Sequence, residues 1–414
     1  MIKMNKHTHS FIEVCAGAGG LSNGFLNTNF IPIFLNEIDK TCCKTLEQNH
    51  KGVKIIEKSM EDIDWNNYAN KDIDVLMGGV PCQSFSYAGK RKGLKDKRGN
   101  LLLKFTDIVK ILKPKVFLIE NVKGLRTHNK NHLRVKKNDI VELIKKKKKV
   151  KGKKVKVNNV VLKNIYKIDD KVKGKLPESI LEQIEETENE NEIKTRYRVK
   201  EDYIGDTFEY IKELLENKVE NINEYEIYDK ILNSNDYEVP QNRHRLIIVG
   251  VRKDIDIRKK YKFPIENEYK PILKDVLLNC PSSDGYVYNK KKYDIMKLVP
   301  EGGCWVNLPV DIQKEYMKNS YYSGGGKRGI ARRLSMNKPS LTLTTSPCQK
   351  QTERCHPTET RPLQILEYAK IQTFPEGYKF SGNLAKQYKQ IGNAVPVKLA
   401  EHIAKSIKEL LDED

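Results

Sequence analysis

Residues 11–25 read FIEVCAGAGGLSNGF: an apolar strand pattern, a run of small residues, then a helical pattern that continues to Asn29. Phe11–Val14 predicts a short strand, and Ala16, Gly17, Ala18, Gly19 and Gly20 predict the turn into the helix. Small residues at such a turn let the backbone approach a ligand while the following helix presents free N–H groups. The spacing Gly17-x-Gly19-Gly20 is not the G-x-G-x-x-G of a dinucleotide fingerprint, and a plain tight turn explains it about as well.

Downstream, the strand–helix rhythm repeats. Ile31–Asn36 predicts a second strand closed by Glu37 and Asp39, followed by a helix over 40–49 and a strand near Val53–Ile56. Ile73–Met77 predicts a fourth strand. A helix over 100–112 leads to Val116–Ile119, which stops at Glu120-Asn121. This alternation predicts a doubly wound α/β sheet, with ligands outside the carboxyl ends of the strands. A carboxylate at the end of the second strand suits a ribose, so Glu37 and the Gly-rich turn together suggest a nucleoside-type cofactor.

The rhythm breaks over about 130–200. Nine of the twelve positions from Lys145 to Lys156 are Lys, and 177–192 is mostly acidic with a short helix pattern. Like-charge blocks repel and stay solvated, so the segment reads as an insertion, with non-specific phosphate binding as a secondary role. Strands return at Tyr225–Tyr228 and Leu246–Gly250. From 254 the composition shifts to turns, Tyr and basic residues, and the chain ends with a Gly392-Asn393 turn before an amphipathic helix. The expected division is a catalytic, cofactor-binding domain (1–253), a smaller irregular domain (254–383) and a segment that returns to the first domain (384–414).

The chain of 414 residues carries a net charge of +21, which points to a polyanionic partner. Its eight cysteines include no C-x-x-C pair, so reduced thiols are expected rather than a disulfide framework. No apolar run approaches a membrane span and the first residues lack a signal pattern, which predicts a cytoplasmic protein with no membrane partner.

In GGVPCQSFSYAGK (78–90), Cys82 follows Pro81 just past a strand end and precedes a polar, Gly-rich segment. A core thiol would be flanked by apolar residues, and no second ligand stands at metal spacing, so the nucleophile reading leads and no metal is expected. Glu120 should emerge on the same sheet edge. Arg243 and Arg245, spaced i, i+2 before a strand, share one face, and ordinary surface pairing is their plainer reading.

With these residues the chain resembles the DNA (cytosine-5)-methyltransferases. The matching blocks stand in family order: FIEVCAGAGGLSNGF, NEIDK, GGVPCQSFSYAGKRKG, RGNLL, KPKVFLIENVKGL, VPQNRHRLIIVG, RPLQILEYAKIQTFPEGYKF and YKQIGNAVPVKLA. The resemblance implies a Rossmann-like fold that binds S-adenosylmethionine and releases S-adenosylhomocysteine. It places Phe11, the Ala16–Gly20 turn, Glu37, Ile38, Asp62, Pro81 and Asn393 at the cofactor. Glu37 would take the ribose hydroxyls, Asp62 the adenine amino group and Phe11 the adenine face.

The resemblance also implies the chemistry. Cys82 would attack C6 of a flipped cytosine, Glu120 would bond N3, Arg245 would hold O2, and Arg243 would support Arg245 or the nucleophile loop. Residues 84–99 would close over the DNA. The smaller domain would be the target-recognition domain, with Gln83, Ser84, Arg332, Arg333, Lys350 and Arg354 at the double-stranded DNA. A monomeric modification enzyme of bacterial or phage origin, working beside a restriction endonuclease, is the expected setting. A tRNA cytosine-5 methyltransferase and a non-catalytic nucleic-acid-binding protein are the alternatives.

Overall fold

A computed structural model of the 414-residue chain describes residues 8–69, 71–80, 100–127, 224–255, 260–322 and 329–412, and the short elements named below between 134 and 223. Its centre is a seven-stranded sheet: β1 (Ser10–Val14), β2 (Ile31–Glu37), β3 (Ile55–Glu57), β4 (Val75–Gly78), β5 (Val116–Val122), β6 (Tyr225–Asn233) and β7 (His244–Arg252). The spatial order is β6-β7-β5-β4-β1-β2-β3. β1 to β5 are parallel, whereas β7 runs antiparallel to both β5 and β6. β4 and β5 are nearly all apolar because helices cover both faces of the sheet, and Val75, Leu76, Met77, Phe117 and Leu118 are fully buried. Strand order reverses between β1 and β4, which is where an α/β sheet opens its crevice.

Helices α1 (Gly20–Leu26) and α2 (Lys40–Asn49) follow β1 and β2. Asp39 caps α2 by accepting the Thr41 N–H at 2.9 Å. α3 (Asn100–Leu112) and α4 (Thr207–Glu216) pack together on one face. Near the C-terminus α5 (Leu384–Asn393) is followed by α6 (Val397–Leu411), which crosses α1. The crossing is close because α1 has glycine at the contact. A Cβ on Gly20 would lie 2.2 Å from the Val395 carbonyl oxygen, and one on Gly24 would lie 2.4 Å from Ala400 Cβ.

Two sequence expectations are overturned here. Gly392 and Asn393 form the last turn of α5, not a free turn, and the chain breaks at Ala394 and Pro396. Within the insertion, the acidic segment is not helical. Strand Leu181–Glu188 pairs antiparallel with Glu192–Val199, and Glu182 stands opposite Arg198. Glu192–Val199 continues onto strand Ile140–Val150, which also pairs with Lys153–Val157 and Leu162–Asn164. Helix propensity of the Glu-rich run yields to cross-strand pairing of opposite charges. A two-residue ladder, Arg134-Val135 with Tyr203-Ile204, closes the base of the insertion.

The segment from 260 to 383 holds short helices and loops around two small cores. One, shared with α5, contains Leu273, Leu343, Tyr368 and the α5 residue Tyr388, and the other Met296, Leu308, Met317 and Ile330. It is joined to the sheet by a parallel pairing of Gln241-Asn242 with Ser340-Leu341.

Candidate active site

The carboxyl ends of β1, β2, β4 and β5 open into a cleft of about 660 Å³, closed from the other side by residues 342–345 and 389–395. Its first wall is the turn after β1. Gly17 has φ +57° and donates its N–H to Glu37 Oε2 at 2.7 Å. Glu37 Oε1 accepts the N–H groups of Ile38 and Asp39 at 2.7 and 2.9 Å. Three backbone donors therefore orient this carboxylate at the cleft. Ile38 lines the cleft edge and is 65 % exposed.

Ala16, Gly17, Gly20, Glu37, Ile38 and Asn393 all line the cleft. Ala18 and Gly19 shape the turn from behind: the Ala18 carbonyl accepts the Tyr378 hydroxyl at 2.7 Å, and Gly19 has φ +78°. Asp62 is exposed on the loop whose Lys58, Ser59 and Met60 face the cleft. The expected place of Phe11 is corrected. It is fully buried against Phe25, and four residues of strand, about 13 Å, separate it from the end of the sheet where Cys15 lines the cleft.

Cys15 and Glu13 are among the cleft residues that the sequence did not single out. Cys15 takes a left-handed backbone conformation, φ +54°, which is strained for a side-chain-bearing residue. Burial, followed by the charges of Glu37 and Glu13, pushes its thiol up to about 12. Glu13 is also buried, and desolvation raises its carboxyl to about 8 against weaker opposition from Ser22. Its Oε2 has no hydrogen-bond partner among the described residues.

The second wall comes from β5 and β7. Arg245 Nε lies 2.7 Å from Glu120 Oε1, in an ion pair with both side chains largely buried. The register explains the pairing. Glu120 stands opposite Ile247 and Arg245 opposite Val122, so Glu120 and Arg245 are diagonal neighbours on one face. Asn121 donates to the Val80 carbonyl at 3.3 Å, and Gly79 lies so close to Glu120 that an added Cβ would be 3.7 Å from Oε2. The chain thus runs toward Pro81 and Cys82 from a point held beside Glu120. Pro81, Cys82, Gln83 and Ser84 themselves lie outside the described residues.

Arg243 is buried and does not pair with Glu120. Its Nη1 donates to the carbonyls of Gly392 (3.0 Å) and Leu343 (3.3 Å), and Nη2 to that of Asn393 (3.4 Å). Burial and the charge of Arg245 lower its pKa. It ties the strand wall to both segments across the cleft. A buried amide chain repeats that tie, since Gln241 donates to Gln372 at 2.7 Å, and Gln372 donates to the carbonyls of Ile391 (2.7 Å) and Ala394 (3.0 Å).

Two of the expected DNA contacts are structural. Arg333 is buried and donates to the carbonyls of Met296, Val299, His356 and Glu359 and to the Thr360 hydroxyl. Arg354 is buried and donates to the carbonyls of Thr342 and Glu353. Arg332 is half-buried, with Nη1 2.8 Å from the Gly302 carbonyl. Lys350 is exposed, above the Tyr316 ring.

This cleft geometry goes with a match to the family model for C-5 cytosine-specific DNA methylases over residues 9–146 and 188–409. The chain belongs to that family. It is 42 % identical to the Type II methyltransferase M.Sau96I of Staphylococcus aureus over all of this chain and 78 % of that protein. It is 38 % identical to M.Eco47II of Escherichia coli over 99 % of this chain and 81 % of that one. Among solved structures, a prophage-encoded DNA modification methyltransferase of E. coli shares the fold, with a TM-score of 0.58 at 20 % identity, covering 98 % of this chain and 99 % of the other. The protein is a DNA (cytosine-5)-methyltransferase of Rossmann-like α/β fold, and its family's reaction uses S-adenosylmethionine. No described helix is long and apolar enough to cross a membrane.

Proposed function

We propose that the cleft binds S-adenosylmethionine at the β1–β2 side and a flipped cytosine at the β5–β7 side, with Cys82 as the nucleophile. The observation that carries this is the Glu120–Arg245 pair, held beside the chain that leads into Cys82. On the cofactor side the fit is good. The Glu37 carboxylate is aimed by three N–H groups and keeps acceptor capacity for ribose hydroxyls, while Gly17, Gly20 and Ile38 leave room for a nucleoside. Asp62 is suited to the adenine amino group, and Asn393 lines the pocket from the far side; Pro81, outside the described residues, is proposed as a further cofactor contact. When bound, the cofactor supplies an electrophilic methyl group on a sulfonium.

Cytosine C5 is a poor nucleophile until C6 is attacked. Cys82 as thiolate forms a bond to C6, and the displaced π electrons are drawn toward N3. Glu120 in its protonated form stabilises that charge by donating a proton to N3, which it takes back as Cys82 departs, and Arg245 does so by donating to O2. C5 would then be electron-rich enough to accept the methyl group that the cofactor supplies, with the cofactor's sulfur leaving as the neutral thioether of S-adenosylhomocysteine. Loss of the C5 proton to a base and departure of Cys82 from C6 restore the aromatic ring as 5-methylcytosine. Arg243 acts through position, not contact. It fixes residues 392–393 and 343 against the strand that carries Arg245.

Residues 1–253 with 384–414 then form the catalytic domain and 254–383 the target-recognition domain, where Arg332 and Lys350, together with Gln83 and Ser84 from the nucleophile loop, are the candidate DNA contacts. The named relatives are Type II methyltransferases, which supports a modification enzyme with a cognate endonuclease; a cytoplasmic monomer is the form proposed.

The test uses duplex DNA carrying 5-fluorocytosine, whose C5 has no proton to lose. A covalent protein–DNA adduct is expected with the cofactor present and none with Cys82→Ala; an undiminished adduct would identify another nucleophile. Parallel incubation of labelled S-adenosylmethionine with duplex DNA and with tRNA separates the two substrate classes, and label in tRNA alone would overturn the DNA reading for this site.

A further inference from the structure

We infer that Lys386 and Lys389 are positioning residues for cofactor binding. Together they hold Asp39, and through it the Glu37 carboxylate, in place at the mouth of the cleft. The inference rests on the proposed place of the cofactor at the β1–β2 side.

Asp39 makes three separate connections. Its backbone N–H donates to Glu37 Oε1 at 2.9 Å, so its position helps to aim the carboxylate proposed for the ribose. Its Oδ1 accepts the Thr41 N–H and caps α2. Its Oδ2 lies 3.3 Å from Lys386 Nζ and 3.9 Å from Lys389 Nζ. All three residues line the cleft, Asp39 on the lip that follows β2 and the lysines on the lip formed by α5. The lysines are spaced i, i+3 and so share one face of α5. Burial disfavours a charge on Asp39, but the Thr41 N–H and the Lys386 ammonium outweigh it and hold the carboxyl below its ordinary range. The pair is therefore ionised at neutral pH.

The fold has other means of joining these two segments. Behind the mouth, Thr45 bonds Gln390 at 2.6 Å, the Ser381 N–H donates to the Thr45 hydroxyl at 2.9 Å, and Asn49 donates to the Lys379 carbonyl at 2.8 Å. At the far end of α5, Arg243 holds residues 392 and 393. The lysine side chains are 45 % and 53 % exposed, and an exposed ion pair adds little to stability. Its effect is local. Without it, the nearest tie from α2 to α5 is at Thr45, more than a helical turn from Asp39. The corner that carries Glu37, Ile38 and Asp39 would then be free on its α5 side.

A direct attraction between Asp39 and the cofactor's sulfonium is the rival role, and the lysines separate the two. If Asp39 acts as a bare charge, removing the lysines should tighten binding. If the lysines position Asp39, removing them should weaken it.

The experiment is calorimetric titration of the full chain with S-adenosylmethionine and, separately, with S-adenosylhomocysteine, which lacks the sulfonium charge. Asp39→Asn keeps the cap of α2, and Lys386→Met/Lys389→Met keeps the side-chain stems. Each should weaken both ligands by about two- to fivefold, the range open to an exposed ion pair. The two sets combined should weaken binding no more than either alone, because the groups act as a unit. Lys386→Arg/Lys389→Arg should bind within about twofold of the wild type, since the charges remain. The thermal midpoint of the ligand-free protein should stay within about 2 °C in every variant. Tighter binding in the methionine variant, losses confined to S-adenosylmethionine, additive losses or unchanged affinity would each overturn the inference. So would a midpoint that falls in step with affinity, which would place the pair in the fold. A wild type that binds neither ligand would overturn the cofactor reading itself, and the inference with it.

Discussion

Arg333 and Glu13 show how burial decides the use of a charged group. A guanidinium donating to four carbonyls and a hydroxyl cannot reach a base without breaking its own region. Arg333→Met should therefore cost at least about 3 kcal/mol of stability, seen in urea unfolding followed by tryptophan fluorescence, and should leave the methylated sequence unchanged in the folded fraction. A shifted sequence would restore Arg333 as a reader. For Glu13 the folded-state pKa is raised from 4.5 to about 8. The folded chain holds the proton more tightly, so this stabilisation is complete below pH 4.5 and is lost as pH rises through 8. Relative to Glu13→Gln, the wild type should lose about 1.4 kcal/mol per pH unit between pH 5.5 and 7.5. A difference that stays flat over that range would mean Glu13 is not the buried acid described. In sequence, Glu37 was readable because a strand end announces itself. Arg333 and Arg354 were not, because a basic residue at a core and one at a groove look alike without their contacts.

At the scale of elements, the packing of α1 on α6 controls the cofactor turn. Alanine in a helix is favoured over glycine by up to about 1 kcal/mol. At Gly24 that gain is outweighed, since the new Cβ would sit 2.4 Å from Ala400 Cβ and 2.5 Å from the Glu401 backbone nitrogen. Gly24→Ala should lose about 1–3 kcal/mol net, read as a lower thermal midpoint, and a rise in the midpoint would refute the close crossing. Periodicity made the strands of the sheet readable, because their apolar runs report burial on both faces. It misread 177–192, where an acidic helix pattern was overruled by a basic partner strand, and 392–393, where Gly-Asn marks the end of a helix. Both errors have one cause. Local preference was weighed without the neighbour that supplies the energy.

For the whole molecule, the site exists only because distant segments meet: Arg243 joins residues 343, 392 and 393, and His9 bonds Asp412 at 2.8 Å across the two ends of the described chain. The sequence showed the segments but not these ties, since a buried arginine or glutamine carries no periodic signal. The insertion is different in kind. Among the described residues its five longer strands pair only with one another, and its base is a ladder whose two sides lie next to each other. Replacing residues 137–201 by a Gly-Ser-Gly linker should therefore leave the sheet, the cleft and the 343–393 ties in place. The shortened chain should fold with a similar thermal midpoint, since closing a shorter loop at an already paired base costs little. It should methylate the same cytosines as the wild type when products are mapped base by base. Its DNA affinity should fall less steeply with salt, because the nine lysines between 145 and 156 are gone. A changed set of methylated sites would instead make the insertion part of the reading surface. Loss of folding would show that the core depends on contacts from the insertion.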